Sequence, residues 1–235
     1  MKGLRNWSLG FLGTAIAVAA SYFWLDRPIA LLAHAELQRF HLFEKLTFIP
    51  DALVPLAVVA FIVALGLGGL SGRPLSRFQS VMLLSGLSLA GAVVAKDQLK
   101  LAFGRPWPET WTRNNLSFIR DGAYGFHPFH GGPGYASFPS GHMTMTCTVM
   151  TVLWICYPAY RPVYAVGMAA VAVGLVGANF HFLSDAIAGG FLGLSAGWIG
   201  VALWEISVRQ VRPTTGRAAD PRVGGEDEIA PRATL

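Results

Sequence analysis

Long apolar runs alternate with short polar segments along the chain, and the length of these runs indicates the fold class. Six runs contain about 20 mostly apolar residues each, the length that a helix needs to cross the hydrocarbon core of a bilayer. The runs are Asn6–Leu25, Ala52–Leu70, Ser80–Leu101, Ser140–Cys156, Val163–Asn179 and Phe182–Trp204. The pattern therefore predicts an all-α protein, a polytopic membrane bundle of six transmembrane helices.

Composition favours a membrane protein over a soluble enzyme. Of the 235 residues, 53% are hydrophobic and only 13% are charged, whereas soluble domains carry about 25% charged residues. Lys2 and Arg5 precede the first run, as in a signal peptide, but the run is long for a signal core and has no clear small-residue cleavage site beside Trp24. We therefore predict that the first run is retained as a span.

Lysines and arginines indicate the orientation, because cytoplasmic loops are enriched in these residues. With the N-terminus in the cytoplasm, the short cytoplasmic loops carry Arg73, Arg77 and Arg161, and five arginines follow between 209 and 232. Both termini are thus predicted to be cytoplasmic. The net charge of +5 follows this topology, so we predict no nucleic-acid partner.

Two segments outside the runs have a different character. Residues 27–50 place apolar side chains at nearly helical spacing, which predicts an interfacial amphipathic helix on the membrane surface. Residues 209–235 are rich in Arg, Gly, Pro and acids without an apolar period, which predicts a disordered cytoplasmic tail. Residues 1–208 then form one membrane domain.

Three polar clusters lie at the ends of spans, and the six-span topology places all three on the non-cytoplasmic side. The first contains Lys100 and Arg105, the second is Pro-Ser-Gly-His at 139–142, and the third runs from His181 to Asp185. Polar residues at membrane depth are costly and are usually functional. Their common side predicts a single site with its motifs between 100 and 185.

The first two clusters suit a phosphate group. Lys100 and Arg105 place two cations at one mouth of the bundle, although snorkelling and interfacial anchoring are structural alternatives. Ser140 is the predicted N-cap of the fourth span, and Gly141 lets a ligand approach the backbone closely. Their amides and the positive helix end predict an anion site, with His142 in the same turn.

The third cluster suits a nucleophile. His181 and Asp185 are four residues apart, so one helical turn places both on the same face. Asp185 can accept the proton of one ring nitrogen and leave the other nitrogen to attack, with a structural hydrogen bond as the alternative. His127 and His130 are three residues apart without acidic partners, so we predict no metal.

Together these motifs resemble those of the type 2 phosphatidic acid phosphatase (PAP2) family of membrane lipid phosphatases. The family pattern is a Lys with Arg-Pro seven residues later, then Pro-Ser-Gly-His, then an Arg six residues before His-x-x-x-Asp. Residues 139–142 and the pair His181 and Asp185 match this pattern. The resemblance covers residues 80–205 well.

Two arginine positions depart from the family pattern. Trp107, not Arg, stands seven residues after Lys100, and Leu175 stands six residues before His181. Arg105 comes two positions early. We expect Arg120 from the long loop, with Arg113 second, and a hydrogen bond from Asn179 to supply the missing phosphate contacts.

The resemblance implies a metal-independent lipid phosphatase without a cofactor. His181, oriented by Asp185, attacks phosphorus to form a phosphohistidine, and His142 protonates the leaving oxygen. The substrate is a phosphomonoester or diphosphate on a membrane lipid, and the setting is a bacterial inner membrane with the site facing the periplasm. The alternatives are a phosphotransferase acting on a polyprenyl diphosphate and a non-catalytic protein that binds lipid phosphate.

Overall fold

The computed structural model describes residues 2–71, 75–110 and 114–211, most of which are helical, with no β-strand among them. Among the described residues, five helices are long and apolar enough to cross a membrane, and a sixth apolar helix, at the fourth predicted span, is shorter. They are α1 (Lys2–Ala20), α4 (Phe48–Ser71), α5 (Arg77–Phe103), α7 (Gly141–Cys156), α8 (Arg161–Gly177) and α9 (Leu183–Val211). The predicted fold class is confirmed.

The segment 27–50 is helical, as predicted, but it is divided between two elements. A π-helical turn at Ser21–Leu25 joins α1 to α2 (Asp26–Leu32), and a second at Ala33–Leu37 completes one continuous rod. The short helix α3 (His41–Leu46) follows after a turn. Pro28 removes one backbone donor from the rod, and the adjacent π turn accommodates the displaced hydrogen bond without ending the helix.

Successive spans run in opposite directions, so their ends alternate between two faces of the bundle. Arg77 at the start of α5 donates to the carbonyl of Cys156 at the end of α7, at 2.5 Å. The opposite face carries the starts of α4, α7 and α9 and the end of α5, together with the short helix α6 (Phe118–Asp121). All three polar clusters therefore lie on one face, as the six-span topology predicts.

The central contact of the bundle joins α7 to α9, and it depends on three glycines. A Cβ at Gly189 would lie only 2.4 Å from the carbonyl of Ser140, the N-cap of α7, and a Cβ at Gly193 or Gly197 would lie 2.3 or 2.7 Å from a carbonyl within α7. Such small residues let membrane helices approach closely and gain van der Waals contact, which replaces the hydrophobic drive that lipid does not supply. The close approach fixes the start of α7 beside the start of α9.

Helix α7 has 16 residues, which gives it a length of about 24 Å. The hydrocarbon core of a bilayer is about 30 Å thick. Lys96, about two turns before the end of α5, lies beside Gly141, so the N-terminus of α7 is recessed below the end of α5.

An apolar groove of about 1180 Å³ lies between α1, α5 and α9. At one end it reaches Phe138 and Pro139, the two residues that precede Ser140. Helix α9 continues to Val211, beyond the predicted domain boundary at 208. The remainder of the predicted tail, residues 212–235, and Arg113 lie outside the described residues.

Candidate active site

His181 lies in the turn between α8 and α9, and its imidazole contacts the carboxylate of Asp185. The Nδ1 atom is 3.5 Å from Asp185 Oδ2 and 3.4 Å from Ser137 Oγ. Ser137 Oγ in turn donates to Asp185 Oδ2 at 2.6 Å. Because Nδ1 faces these two groups, Nε2 is the ring nitrogen turned away from them, and it is the candidate nucleophile.

Burial keeps the imidazole of His181 neutral. Its side chain is only 4% exposed, and the ring of Trp107 lies 5.0 Å away between centroids. Burial lowers the pKa of His181 to about 4, and it outweighs the opposing effect of Asp185. Trp107 lies beside both Lys100 Nζ and His181, and the amide of Ser140, two residues before His142, binds the Asp185 carbonyl, so these predicted site residues are near His181.

Ser140 caps α7 as predicted: its hydroxyl accepts from the Met143 amide at 3.5 Å. Its own amide donates to the backbone carbonyl of Asp185 at 3.0 Å. This differs from the expectation that the Ser140 amide binds phosphate, because that donor is already used. The amides of Gly141 and His142 belong to the first turn of α7, where helical geometry supplies no carbonyl partner.

His142 has an acidic neighbour that the sequence analysis missed. Its Nε2 lies 3.6 Å from Asp51 Oδ1, at the start of α4. The two residues are 91 positions apart, and a lone aspartate at the end of an apolar run gives no signal of this pairing. The contact orients one of the two candidate catalytic histidines.

Two lysines of α5 lie beside the start of α7. Lys100 donates to the carbonyl of Ala136, and its Nζ is 5.3 Å from the centroid of the Trp107 ring. Lys96 is one turn earlier on the same helix face. Its Cδ is 3.2 Å from the position of a Cβ on Gly141, so its stem runs along the recessed N-terminus. The sequence analysis overlooked Lys96, although the i, i+4 spacing was available.

Arg105 lies elsewhere than predicted. Its side chain is fully buried, with Nη1 2.5 Å from Asp185 Oδ1 and Nη2 2.7 Å from Asp26 Oδ2. Both terminal nitrogens are therefore engaged behind Asp185. This placement corrects the expectation of a phosphate contact and assigns Arg105 to the carboxylate that orients His181.

Arg120 and Asn179 also have partners other than those expected. Arg120 Nε donates to Asp121 Oδ1 at 2.9 Å, within its own loop. Asn179 is buried, and its Nδ2 donates to Glu109 Oε2 at 3.5 Å. Glu109 also accepts from His34 at 2.6 Å. These contacts tie the loops together, and the role of Arg120 and Asn179 in phosphate binding stays a prediction.

With this geometry, the chain can be compared with known proteins. A family model for the PAP2 superfamily matches residues 81–209, which is more than half of the chain. The chain belongs to this superfamily, as the resemblance implied. The matched range contains both histidines and both lysines of the site, but it excludes Asp26 and Asp51.

Individual relatives are similar over shorter stretches. The chain is 34% identical over 96 residues to proteins named lipid A 1-phosphatase from Rhizobium etli and Rhizobium johnstonii. The match covers 39% of this chain and only 36% and 34% of those relatives.

A crystal structure of a transmembrane PAP2-type phosphatidylglycerolphosphate phosphatase from Bacillus subtilis superposes with a TM-score of 0.51 at 18% identity. It covers 88% of this chain and 98% of that chain, and it supports the fold.

Proposed function

We propose that the protein is a membrane lipid phosphatase that cleaves a phosphomonoester or diphosphate through a phosphohistidine. The observation that carries this proposal is the buried His181, whose Nδ1 faces Asp185, beside the N-terminus of α7. A neutral imidazole has the lone pair that a nucleophile needs. The helix N-terminus and two lysines supply the positive potential that a phosphate needs.

The reaction proceeds in two displacements. His181 Nε2 attacks phosphorus and the bond to the leaving oxygen breaks, while His142 donates a proton to that oxygen. Water then attacks the phosphohistidine, His142 takes a proton from the water, and inorganic phosphate leaves as the bond to Nε2 breaks. General acid and base catalysis of this kind contributes about 10²- to 10⁴-fold.

The charge on the transferring phosphoryl group is stabilised by the amides of Gly141 and His142, which are fixed in the first turn of α7 and need no reorganisation as charge develops. The Lys96 stem lies beside Gly141, and Lys100 is one turn further along α5. Lys96 Nζ pairs with Asp97 and Lys100 Nζ donates to the Ala136 carbonyl, and both side chains turn to the phosphate when it binds. We propose that these groups do the work of the two absent motif arginines, without a metal ion.

A lipid substrate fits the position of the site. The groove between α1, α5 and α9 reaches Pro139, next to Ser140, so it can hold hydrocarbon close to the phosphate site. The matches to lipid A 1-phosphatases favour a lipid phosphate over a soluble one. From the distribution of lysines and arginines, we place this site on the periplasmic face of a bacterial inner membrane.

The test is phosphate release by the purified protein from a panel of lipids: lipid A, phosphatidylglycerol phosphate, phosphatidic acid and a polyprenyl diphosphate. We expect release from at least one lipid, and its loss in His181→Ala and His142→Ala. His41→Ala is the matched control, since its side chain is 83% exposed, and it keeps full activity.

Three results would contradict the proposal. Wild-type rates of phosphate release in His181→Ala would exclude His181 as the nucleophile. Transfer of phosphate to a second lipid, without release from a single one, would indicate a phosphotransferase. Binding of these lipids without turnover would indicate a non-catalytic protein.

A further inference from the structure

A buried charged cluster joins the N-terminal rod to the pair of His181 and Asp185. Asp26, Arg105 and Asp185 all have fully buried side chains. Arg105 donates to Asp26 Oδ2 from Nη2 at 2.7 Å and to Asp185 Oδ1 from Nη1 at 2.5 Å. One cation therefore bridges two carboxylates, one on each side.

Asp26 is a well-bound member of this cluster. Its Oδ1 accepts from Ser21 Oγ at 2.8 Å and from the Ser184 amide at 3.0 Å. Ser184 Oγ donates to Asp26 Oδ2 and accepts from Arg105 Nη1 at 2.6 Å. The π turn before Asp26 places this carboxylate on the side of the rod that faces α9, where π turns often serve functional sites.

Aromatic rings surround the guanidinium. The centroid of the Phe182 ring is 4.2 Å from Arg105 Cζ. Three more rings lie 5.1 to 5.3 Å away: Tyr22, Tyr124 and Phe126. In such a low-dielectric setting an unbalanced charge is costly. The positive charge of Arg105 is therefore balanced by the two carboxylates next to it, Asp26 and Asp185.

The division of the Arg105 charge between the two carboxylates affects how strongly Asp185 attracts positive charge on His181. If Arg105 paired with Asp185 alone, it would neutralise the carboxylate that faces the imidazole. The second carboxylate, Asp26, takes part of the cation's field and leaves Asp185 more negative towards Nδ1. A negative Asp185 stabilises the positive charge that the ring acquires when Nε2 bonds to phosphorus, as a buried aspartate does in other nucleophile and histidine pairs.

We propose that Asp26 is a positioning residue for the reaction: through Arg105 and Ser184 it fixes the orientation and charge of Asp185. The proposal rests on the proposed function. The N-terminal rod lies outside the range matched by the family model. Under this proposal the rod affects the reaction through Asp26, without contact to the substrate.

The experiment compares wild type with Asp26→Asn, which keeps the shape of the side chain and removes its charge. By analogy with the outer partners of metal ligands, whose loss typically costs about 10- to 100-fold, we expect kcat to fall about tenfold or more while KM is unchanged. Without any substrate, the Nδ1–H proton resonance of His181, assigned with His181→Ala, moves upfield because its acceptor is weaker. Glu36→Gln is the control, since Glu36 lies on the same rod in an exposed pair with Arg39.

Each outcome decides the proposal. Wild-type kcat and an unmoved resonance in Asp26→Asn overturn it, and so does a raised KM with unchanged kcat. If Asp26→Asn does not fold, Ser184→Ala gives the same test, with a smaller change in the same direction. If wild type releases no phosphate, the proposed function fails, and the resonance still decides whether Asp26 acts on His181.

Discussion

Replacement of Gly189 by alanine tests how tightly the helix contact fixes the site. A Cβ at this position would lie 2.4 Å from the Ser140 carbonyl oxygen, whereas ordinary contact begins at 3.4 Å. Helices α7 and α9 would therefore have to separate by about 1 Å. Since the Ser140 amide donates to the Asp185 carbonyl at 3.0 Å, this shift moves the start of α7 away from His181.

The separation has two measurable consequences. Misplacement of reacting groups by about 1 Å can cost about 10²-fold in rate, so we expect kcat for phosphate release to fall by about that factor in Gly189→Ala. Overpacking costs about 1–3 kcal/mol, so the unfolding temperature in detergent also falls. Gly66→Ala on α4 is the matched control, because a Cβ there has no atom within 4 Å and Gly66 does not line the apolar groove.

The reasoning would be refuted by a Gly189→Ala protein with the kcat of wild type. It would also be refuted if Gly66→Ala lost activity to the same extent, because the loss would then not come from the contact between α7 and α9.

Four further predictions concern the site. The acid limb of kcat/KM that reports His181 lies near pH 4, because its lowered pKa keeps the ring neutral above that value, and a limb near pH 6.5 would contradict the burial argument. Trp107→Ala exposes the ring and moves this limb to higher pH, as a histidine NMR titration also measures. Lys96→Gln lowers kcat/KM about tenfold or more, whereas the exposed Lys45→Gln does not, and equal effects of the two would argue against Lys96. Activity survives a chelator and is inhibited by vanadate, which mimics five-coordinate phosphorus; loss of phosphate release with chelator alone would require a metal.

The sequence indicated those parts of the molecule that depend on local pattern. Span length and apolar composition predicted six helices, and the alternation of spans brought Lys100, His142 and His181 to one face. The N-cap at Ser140 and the i, i+4 pair of His181 and Asp185 are also local features, and the structure contains both.

The parts that could not be predicted are long-range contacts between charged side chains. The position of Arg105 near Lys100 predicts a contact with phosphate. In the structure its guanidinium instead binds two buried carboxylates, those of Asp26 and Asp185. Neither Asp26 nor Asp51 stands in a motif, and each reaches its partner only after the chain has folded across 79 or more positions. The residue spacing in a sequence carries no information on such pairings.

The cluster around Arg105 also bears on how the protein can be shortened. A fragment starting at residue 81 would contain the whole range that the family model matches, yet it would lack Asp26 and the rod that carries it. Arg105 would then pair with Asp185 alone, and it would also lose the Tyr22 ring from the aromatic side chains that surround it. The smallest working fragment is therefore larger than the region shared with relatives, and truncation studies of this chain have to begin at the first helix.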